Sequence, residues 1–326
     1  MKAIVRQGYG GPEQLQIREV PDPVATPGEV TVRVKAFGIN RAEQYFRLGL
    51  WGEVAEISGI ECVGEVIADP GGALLPGQRV MALMGGMGRT RSGSYAEQVN
   101  VPAANVVPVH TRLDWVRLAA LPESYATAWS CLHDNLRLRR GDRVLVRAAT
   151  SALGQAALGL ARLAGATIIG TVRHADRGRV ALAKGAHHVL VEGPGLAGEL
   201  ESMVPGGVDA VLDLVGTSTL LESLRLARRG GRVCMAGFVG GVGAIERFDP
   251  LVHLPSGRQL SFFASAFVYG TPEWPLADVP LQRIVELAVS EALHAEPARV
   301  FAFDEIRQAH ELLDAEAAGG KMVVLV

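Results

Sequence analysis

The segment 143–157 constrains the fold more than any other part of the chain. It begins with a short run of β-branched and leucine residues, turns through small residues, and continues as an Ala/Leu-rich helix towards Gly165. A strand that leads directly into a helix directs backbone N–H groups and the positive end of the helix dipole at one spot, which suits a phosphate. Only Gly154 of the usual G-x-G-x-x-G fingerprint is kept, because Ala148 and Ser151 occupy the other two positions. On these residues alone, a pyrophosphate turn and an ordinary strand-to-helix turn are both open.

The surrounding sequence repeats the same strand-and-helix pattern from about residue 123 to 268. Helical stretches separate the first five of six predicted strands, and the strands are almost continuously apolar, which is typical of a doubly wound parallel sheet. The predicted strands are 144–147, 167–172, 188–191, 210–214, 232–236 and 260–267. We therefore predict an α/β protein with a dinucleotide-binding Rossmann domain over 123–268. The cofactor-binding candidates in its first turn are Ala148, Ser151, Ala152, Leu153 and Gly154.

The first 122 residues show a different pattern, in which short strands alternate with Gly/Pro turns and only 40–48 is typical of a helix. Such a pattern predicts a compact, mostly antiparallel β domain. Its predicted strands are 2–6, 30–37, 64–68, 79–83 and 94–99. The loop 85–93 holds four glycines and two arginines, so we expect it to be mobile, to bury no core face, and to border a site. Beyond residue 270, helices are predicted at 281–293 and 305–317, and a last strand at 321–326.

Composition excludes several classes of function. The formal net charge is −2 with dispersed charges, so no basic stripe is available for nucleic acid and no basic amphipathic helix for a membrane surface. No apolar run reaches the roughly 18 to 20 residues of a membrane span, and the N-terminus does not have the pattern of a signal peptide, so we expect a cytoplasmic protein. The three cysteines, Cys62, Cys131 and Cys234, are isolated and are expected to be reduced packing residues.

The end of the second Rossmann strand carries information about the cofactor. An acidic residue at this place accepts a hydrogen bond from the adenosine ribose 2′-OH of NADH. Here Arg173 replaces it, and Arg177 follows one turn later. Two guanidinium groups suit a 2′-phosphate, which favours NADPH over NADH. Both arginines would also suit a solvated surface.

Two later strand ends supply further cofactor-binding candidates, since ligands lie outside the carboxyl ends of parallel strands. Val215 and Gly216 follow the fourth strand, and Gly237, Phe238 and Val239 follow the fifth. Glycine allows a flat ring to approach the backbone closely. The alternative is that these glycines only serve the turns.

Several ordered motifs carry a resemblance that extends over nearly the whole chain. They lie at 38–49, 59–64, 76–80, 93–97, 120–123, 148–154 and 230–233. In this order they resemble the zinc-free quinone oxidoreductase branch of the medium-chain dehydrogenase/reductase superfamily, the branch that includes ζ-crystallin. The resemblance implies a discontinuous catalytic domain, 1–122 with 269–326. It also implies NADPH-dependent hydride transfer to a quinone or a similar small carbonyl-conjugated acceptor, and a homodimer.

The resemblance also suggests roles for individual residues. Zinc-using relatives carry a cysteine ligand near the place of Asn40 and a histidine at that of Ile60, and isoleucine cannot bind a metal, so no metal site is expected. Asn40 and Tyr45 would flank the nicotinamide and the acceptor as catalytic residues, with the tyrosine hydroxyl in reach of a substrate carbonyl. Thr127 would lie by the carboxamide or ribose, and Lys321 would contact the cofactor. The alternatives are that Asn40 caps the helix, that Tyr45 packs beneath it, and that Lys321 is an exposed surface residue.

One residue opposes the choice of NADPH. Some relatives carry a tyrosine at the position of Glu192 that helps to hold the 2′-phosphate, whereas a carboxylate there would repel it. Two other functions stay open: reduction of the C=C bond of an enone or enoyl thioester, and non-catalytic NADPH binding. The acceptor pocket is expected to be lined by the segments 50–52, 85–93 and 267–269.

Overall fold

A computed structural model describes all residues from Met1 to Val326. The strands are β1 (Lys2–Arg6), β2 (Leu15–Glu19), β3 (Glu29–Ile39), β4 (Glu61–Ala68), β5 (Arg79–Leu83), β6 (Gln98–Pro102), β7 (Val106–Pro108), β8 (Arg143–Val146), β9 (Thr167–Val172), β10 (His188–Val191), β11 (Val208–Asp213), β12 (Ala227–Met235), β13 (Gln259–Phe262), β14 (Arg299–Ala302) and β15 (Met322–Leu325). The α-helices are α1 (Arg41–Leu48), α2 (Trp115–Ala119), α3 (Pro122–Ser130), α4 (Ala152–Leu163), α5 (Gly178–Ala183), α6 (Leu196–Met203), α7 (Thr217–Leu226), α8 (Pro250–His253), α9 (Ser265–Val268), α10 (Leu281–Val289) and α11 (Ile306–Asp314).

The chain divides into two compact units. The first unit consists of Met1–Ala126 and Ser265–Val326, and the second unit is Thr127–Ala264. The sequence-based boundaries were 1–122 with 269–326 for the catalytic domain and 123–268 for the Rossmann domain. The first unit is therefore made of two separate stretches of chain, and each unit has its own sheet.

The second unit is built on a six-stranded sheet in which every strand pair is parallel. Its spatial order is β10-β9-β8-β11-β12-β13, which in chain rank is the 3-2-1-4-5-6 order of dinucleotide-binding sheets. Helices α4 to α7 connect the first five strands, and Leu145, Ile169 and Val211 are fully buried in the core. The predicted doubly wound sheet is confirmed. Its strand order reverses between β8 and β11, where ligands bind in sheets of this type.

The first unit is built on a seven-stranded sheet with the order β14-β15-β3-β4-β5-β7, and β6 pairs with β3. All pairs are antiparallel except β14 with β15, so the prediction of a mostly antiparallel domain is confirmed. Strands β1 and β2 form a separate antiparallel pair. The core includes the stacked rings of Phe37 and Tyr95, and α11 covers it with Ile306 and Leu313.

Three local predictions differ from the structure. The strand predicted at 260–267 ends at Phe262 and gives way to α9, because its neighbour β12 ends at Met235 and offers no backbone partners beyond that point. The strand predicted at 94–99 is displaced towards the C-terminus: the observed strand is β6, which begins at Gln98 and pairs with β3. The loop 85–93 was expected to bury no core face, but its residue Met87 is 1% exposed and belongs to the core. The loop is compact because the N–H groups of residues 89, 90 and 91 all donate to the carbonyl of Gly86.

Candidate functional site

The turn after β8 presents unpaired donors at the start of α4. Ala148 adopts a left-handed backbone with φ 54°, which redirects the chain from strand to helix. Ser151 is the N-cap of α4, and its hydroxyl accepts a hydrogen bond from the N–H of Gly154 at 3.0 Å. The N–H groups of Ala152 and Leu153 have no acceptor in the protein. These two donors and the helix dipole favour an anion at this turn.

Gly154 is the fingerprint glycine that the packing requires. A Cβ atom at this position would lie 2.9 Å from the carbonyl carbon of Ala149 and would collide with the carbonyl oxygen of Ala148. The first turn of α4 therefore packs directly on the backbone that leaves β8, as the third glycine of such fingerprints allows. The two substituted positions carry no such constraint: Ser151 caps the helix, and Ala148 only needs to tolerate its positive φ.

The tip of β9 carries the two arginines predicted to select the cofactor. Arg173 follows the strand directly and is exposed, and Arg177 ends the short 3₁₀ turn Ala175–Arg177 that leads into α5. The structure thus places both side chains just beyond the carboxyl end of the strand next to β8. This position agrees with the rule for residues that contact the adenosine ribose.

A buried arginine that sequence reasoning did not single out organises the same edge. Arg147 is 1% exposed, and its guanidinium forms an ion pair with Glu192 and a second one of 2.8 Å with Glu222. It also donates to the hydroxyl of Ser223 at 3.1 Å. Burial lowers the pKa of Arg147, but the hydrogen bonds to Glu192 and Glu222 and the charges of Glu192 and Asp213 outweigh that effect and raise it overall. The only sequence signal was an arginine at the end of an otherwise apolar strand.

This arrangement changes the role expected for Glu192. Its carboxylate also accepts a hydrogen bond of 2.5 Å from the hydroxyl of Thr171, at the end of β9. The charge that was expected to repel a 2′-phosphate is therefore compensated by Arg147 within the protein. The three side chains connect the ends of β8, β9 and β10.

The turns after β11 and β12 are joined to each other. Asp213 is fully buried and accepts hydrogen bonds of 3.0 Å from the N–H groups of both Val215 and Gly216. The N–H of Val239 donates to the carbonyl of Leu214 at 3.2 Å, and that of Gly240 to Val215 at 2.8 Å. The structure therefore brings together two groups of cofactor-binding candidates, Val215 and Gly216 with Gly237, Phe238 and Val239. Thr127 is buried in α3, at the start of the second unit.

In the first unit, the candidate residues Asn40 and Lys321 meet at a buried glutamate. The ammonium of Lys321 forms an ion pair with Glu61 and donates to Asn40 Oδ1 at 2.6 Å. Asn40 Nδ2 in turn donates to Glu61 Oε1 at 2.9 Å, and the second oxygen of Glu61 accepts from the N–H of Glu123 at 2.7 Å. The surface alternative for Lys321 is wrong, because this residue is 6% exposed and Glu61 is fully buried.

Gly38 makes room for this ion pair. A Cβ atom there would lie 2.5 Å from Lys321 Cε and closer still to the carboxylate of Glu61. Strand β15 pairs with β3 beside it, with Met322 opposite Ile39. Strand β3 also pairs with β4, which begins at Glu61, so three neighbouring strands bring together two residues that are separated by 260 positions in the chain.

Asn40 caps helix α1, as the alternative for this residue predicted, but it does so through its backbone and not through its side chain. Asn40 is the N-cap residue of α1, and its N–H donates to Glu43 Oε2 at 2.8 Å. Its side-chain amide binds Lys321 and Glu61, as described above. Glu43 is fully buried, and its other oxygen accepts from the N–H of Ile60 at 3.2 Å. Burial raises the pKa of Glu43 to about 7, against the opposing charge of Lys321.

Tyr45 lies in the second turn of α1 and is 7% exposed. Its ring stacks on that of Trp51 at a centroid distance of 6.3 Å and an interplanar angle of 18°. Burial raises the pKa of its phenol, so the hydroxyl keeps its proton at neutral pH. The residue is packed, as one alternative expected, and it is also a protonated donor.

Glu43 makes a specific pH dependence of stability expected. Since the folded protein holds this proton up to about pH 7 and the unfolded chain releases it near the ordinary value of 4.5, the unfolding free energy falls as pH rises between these values. Above pH 7 the loss amounts to roughly 3 kcal/mol. Thermal unfolding should show that Glu43→Gln gains stability relative to the parent protein between pH 5 and 7.5. The exposed Glu273→Gln is the control, and an equal difference between Glu43→Gln and the parent at both pH values would contradict the prediction.

Comparison with known proteins adds three findings. Residues 26–111 match the alcohol dehydrogenase GroES-like domain and residues 152–279 match the zinc-binding dehydrogenase family. A quinone oxidoreductase from Mus musculus is 30% identical over 250 residues, which are 74% of each protein, and a 2-haloacrylate reductase from Burkholderia sp is 28% identical over 343 residues, covering 100% of this chain and 98% of that one. The structure of mycobacterial Rv1454c complexed with NADPH has a TM-score of 0.87 at 26% identity, with both chains fully covered.

Two further features of the structure concern metal ions and membranes. The structure contains no group of three or more His, Cys, Asp or Glu side chains that could hold a metal ion. None of its helices combines the length and apolar character needed to cross a membrane.

Proposed function

The chain belongs to the quinone oxidoreductase family of the medium-chain dehydrogenase/reductase superfamily, and we propose that it is an NADPH-dependent oxidoreductase that transfers hydride to a quinone or a similar small carbonyl-conjugated acceptor without zinc. The observation that carries this proposal is the turn after β8. It lies where the strand order of the sheet reverses, with two unpaired N–H groups and a glycine that lets helix and strand touch.

The residues present fit a dinucleotide. Ala152 and Leu153 would hold the pyrophosphate with their N–H groups, and Arg173 would hold the 2′-phosphate. The joined turns after β11 and β12, and Thr127, remain the proposed contacts for the rest of the cofactor. When bound, NADPH supplies the hydride. The NADPH complex of Rv1454c supports this choice of cofactor.

On the acceptor side, Tyr45 is the proposed hydrogen-bond donor to the acceptor oxygen. Its phenol stays protonated at neutral pH, as a donor must. Asn40 is the proposed second contact, with its amide oriented by Lys321 and Glu61. Lys321, which was first assigned to the cofactor, would hold this amide in place with its buried ammonium group.

Zinc independence is supported by the residues around Glu61. Its two carboxylate oxygens already accept hydrogen bonds from Lys321, Asn40 and the N–H of Glu123. An ammonium group at this carboxylate opposes the binding of a cation. Ile60, which precedes it in the chain, has no atom that can bind a metal.

Oxidation of NADPH, followed at 340 nm, tests the function. The acceptors are ortho- and para-quinones, 2-alkenals, 2-chloroacrylate and an enoyl thioester, each with and without a zinc chelator. We expect turnover of quinones that survives chelation. Turnover of the C=C substrates alone would favour the second candidate, for which the similarity to a 2-haloacrylate reductase is the specific observation. Cofactor binding without any turnover would favour a non-catalytic protein, and loss of activity with zinc removal would overturn zinc independence.

We predict that Arg173→Ala raises the KM for NADPH about tenfold and leaves that for NADH unchanged, because one charge-assisted hydrogen bond to the 2′-phosphate is lost. Steady-state kinetics with both cofactors measure the effect. Arg179→Ala is the matched control, since this arginine is also exposed but lies within α5. A preference for NADH in the parent protein that persists in Arg173→Ala would contradict the assignment.

We also propose a homodimer formed through β13. This edge strand pairs only with β12, and Leu260 and Phe262 are 42% and 54% exposed on it. An apolar edge of this kind needs a cover. Light scattering should give twice the chain mass of 34.5 kDa, and Phe262→Glu should reduce it to one chain. Leu163→Glu, at another exposed apolar position, should leave the mass of the parent protein unchanged, and a monomeric parent protein would refute the proposal.

A further inference from the structure

Three segments that were expected to line the acceptor pocket meet in the first unit. Trp51 stacks on Tyr45 and also on Phe267, at a centroid distance of 6.4 Å and an interplanar angle of 18°. We refer to Tyr45, Trp51 and Phe267 as the aromatic ladder. Its buried end is Tyr45, and its exposed end is Phe267, at 57% exposure. Helix α9, which replaces the end of the predicted strand, supplies Phe267.

The exposed end of the ladder carries a positive charge. The guanidinium carbon of Arg89 lies 4.3 Å from the centre of the Phe267 ring, a cation–π geometry. The backbone of Arg89 is fixed on both sides, because its N–H donates to Gly86 and its carbonyl accepts from the N–H of Ala55 at 2.8 Å. The loop thus holds this arginine at a defined place.

The guanidinium of Arg89 has no acidic partner and no side-chain hydrogen bond. It is nevertheless partly buried, and burial lowers its pKa with no carboxylate to oppose the effect. Its loop neighbour Arg91 differs, since it forms an ion pair of 2.7 Å with Glu29. Partly desolvated arginines are normally paired, because their five N–H donors need acceptors. A ligand oxygen would supply what the protein does not.

We propose that Arg89 and the aromatic ladder form a subsite for a flat conjugated acceptor that carries an anionic oxygen group, such as a carboxylate or sulfonate. The rings of Trp51 and Phe267 are near-parallel and Phe267 is exposed, so a conjugated ring system can add to this stack. The fork of N–H donors beside Phe267 suits an anionic group at the edge of that ring system. The subsite deepens the proposed function, on which it rests for the nature of the acceptor.

Binding of a non-reacting ligand tests the subsite separately from catalysis. The probes are anthraquinone-2-sulfonate and the neutral 2-(hydroxymethyl)anthraquinone, titrated calorimetrically into the full chain with saturating NADP⁺. We expect the sulfonate to bind at least tenfold more tightly than the neutral probe. Arg89→Met should remove this difference, and Arg89→Lys should restore part of it, since lysine keeps the charge but not the planar fork.

Arg91→Met is the matched control, because it removes a positive charge from the same loop at a residue that is already paired. It should leave both affinities unchanged, whereas Phe267→Leu should weaken both probes by a similar factor. Equal affinities of the parent protein for the two probes, binding of neither, or an Arg91→Met effect as large as that of Arg89→Met would overturn the proposal. Selective binding of the sulfonate without turnover of any quinone would retain the subsite and count against the proposed reaction.

Discussion

Arg147→Met should lower the free energy of unfolding of the protein by about 3–5 kcal/mol, the usual cost of removing one partner of a buried ion pair. Glu192 and Glu222 would then face each other's charge with no guanidinium between them. The uncompensated carboxylate of Glu192 should in addition weaken the binding of NADPH more than that of NADH, because only NADPH carries the 2′-phosphate. Thermal unfolding and cofactor titration measure the two effects.

The double variant Arg147→Met/Glu192→Met should recover much of the lost stability, since it removes the more deeply buried of the two uncompensated carboxylates. Arg228→Met is the control: its ion pair with Asp209 lies at the surface, with the arginine side chain 45% exposed, and should contribute less than about 1 kcal/mol. If Arg147→Met lowered the free energy of unfolding no more than Arg228→Met does, the ion pairs of Arg147 would not stabilise the ends of β8, β9 and β10.

Lys321→Met should likewise destabilise the protein by about 3–5 kcal/mol, because it leaves the carboxylate of Glu61 buried without its cation. Glu61→Gln combined with Lys321→Met should restore most of the loss, and the coupling between the two changes is the quantity to measure. Chemical unfolding monitored by tryptophan fluorescence is suitable.

Lys35→Met is the matched control for this buried pair. Lys35 lies 3.2 Å from Glu65 at the surface, with the two side chains 30% and 37% exposed, and we expect an effect below about 1 kcal/mol. Additive effects of the Lys321 and Glu61 changes would show that the two residues do not stabilise each other. If the double variant is stable but inactive, the orientation of Asn40 by this pair is required for turnover.

The order of elements could be predicted because each unit has its own local pattern. Continuous apolar strands separated by helices are specific for a parallel sheet, and β9 and β10 begin and end where the sequence indicated. The end of β13 could not be predicted, because it depends on where β12 ends. The contribution of the loop 85–93 to the core could not be predicted, because glycines permit tight turns as well as mobility, and the turns place Met87 in the core.

The charged networks were less accessible than the fold. Sequence reasoning named Asn40 and Lys321 separately, but their meeting at Glu61 depends on the pairing of β15 with β3. The burial of Arg147 could not be predicted, because an arginine at a strand end is usually solvated and its partner Glu192 lies 45 positions later in the chain. Long-range pairs of this kind follow from strand order, which no local pattern contains.

The left-handed conformation of Ala148 bears on which related sequences can carry the same turn. An alanine at positive φ costs about 1 kcal/mol relative to glycine in the folded chain, yet it restricts the unfolded chain by about 0.4–1 kcal/mol. The two residues are therefore nearly equivalent here, and this position is expected to drift between them during evolution. Gly154 has no such freedom, because any side chain would strike the backbone of Ala148 and Ala149. We therefore expect the third glycine of the fingerprint to be retained more often than the first in divergent sequences that carry this turn.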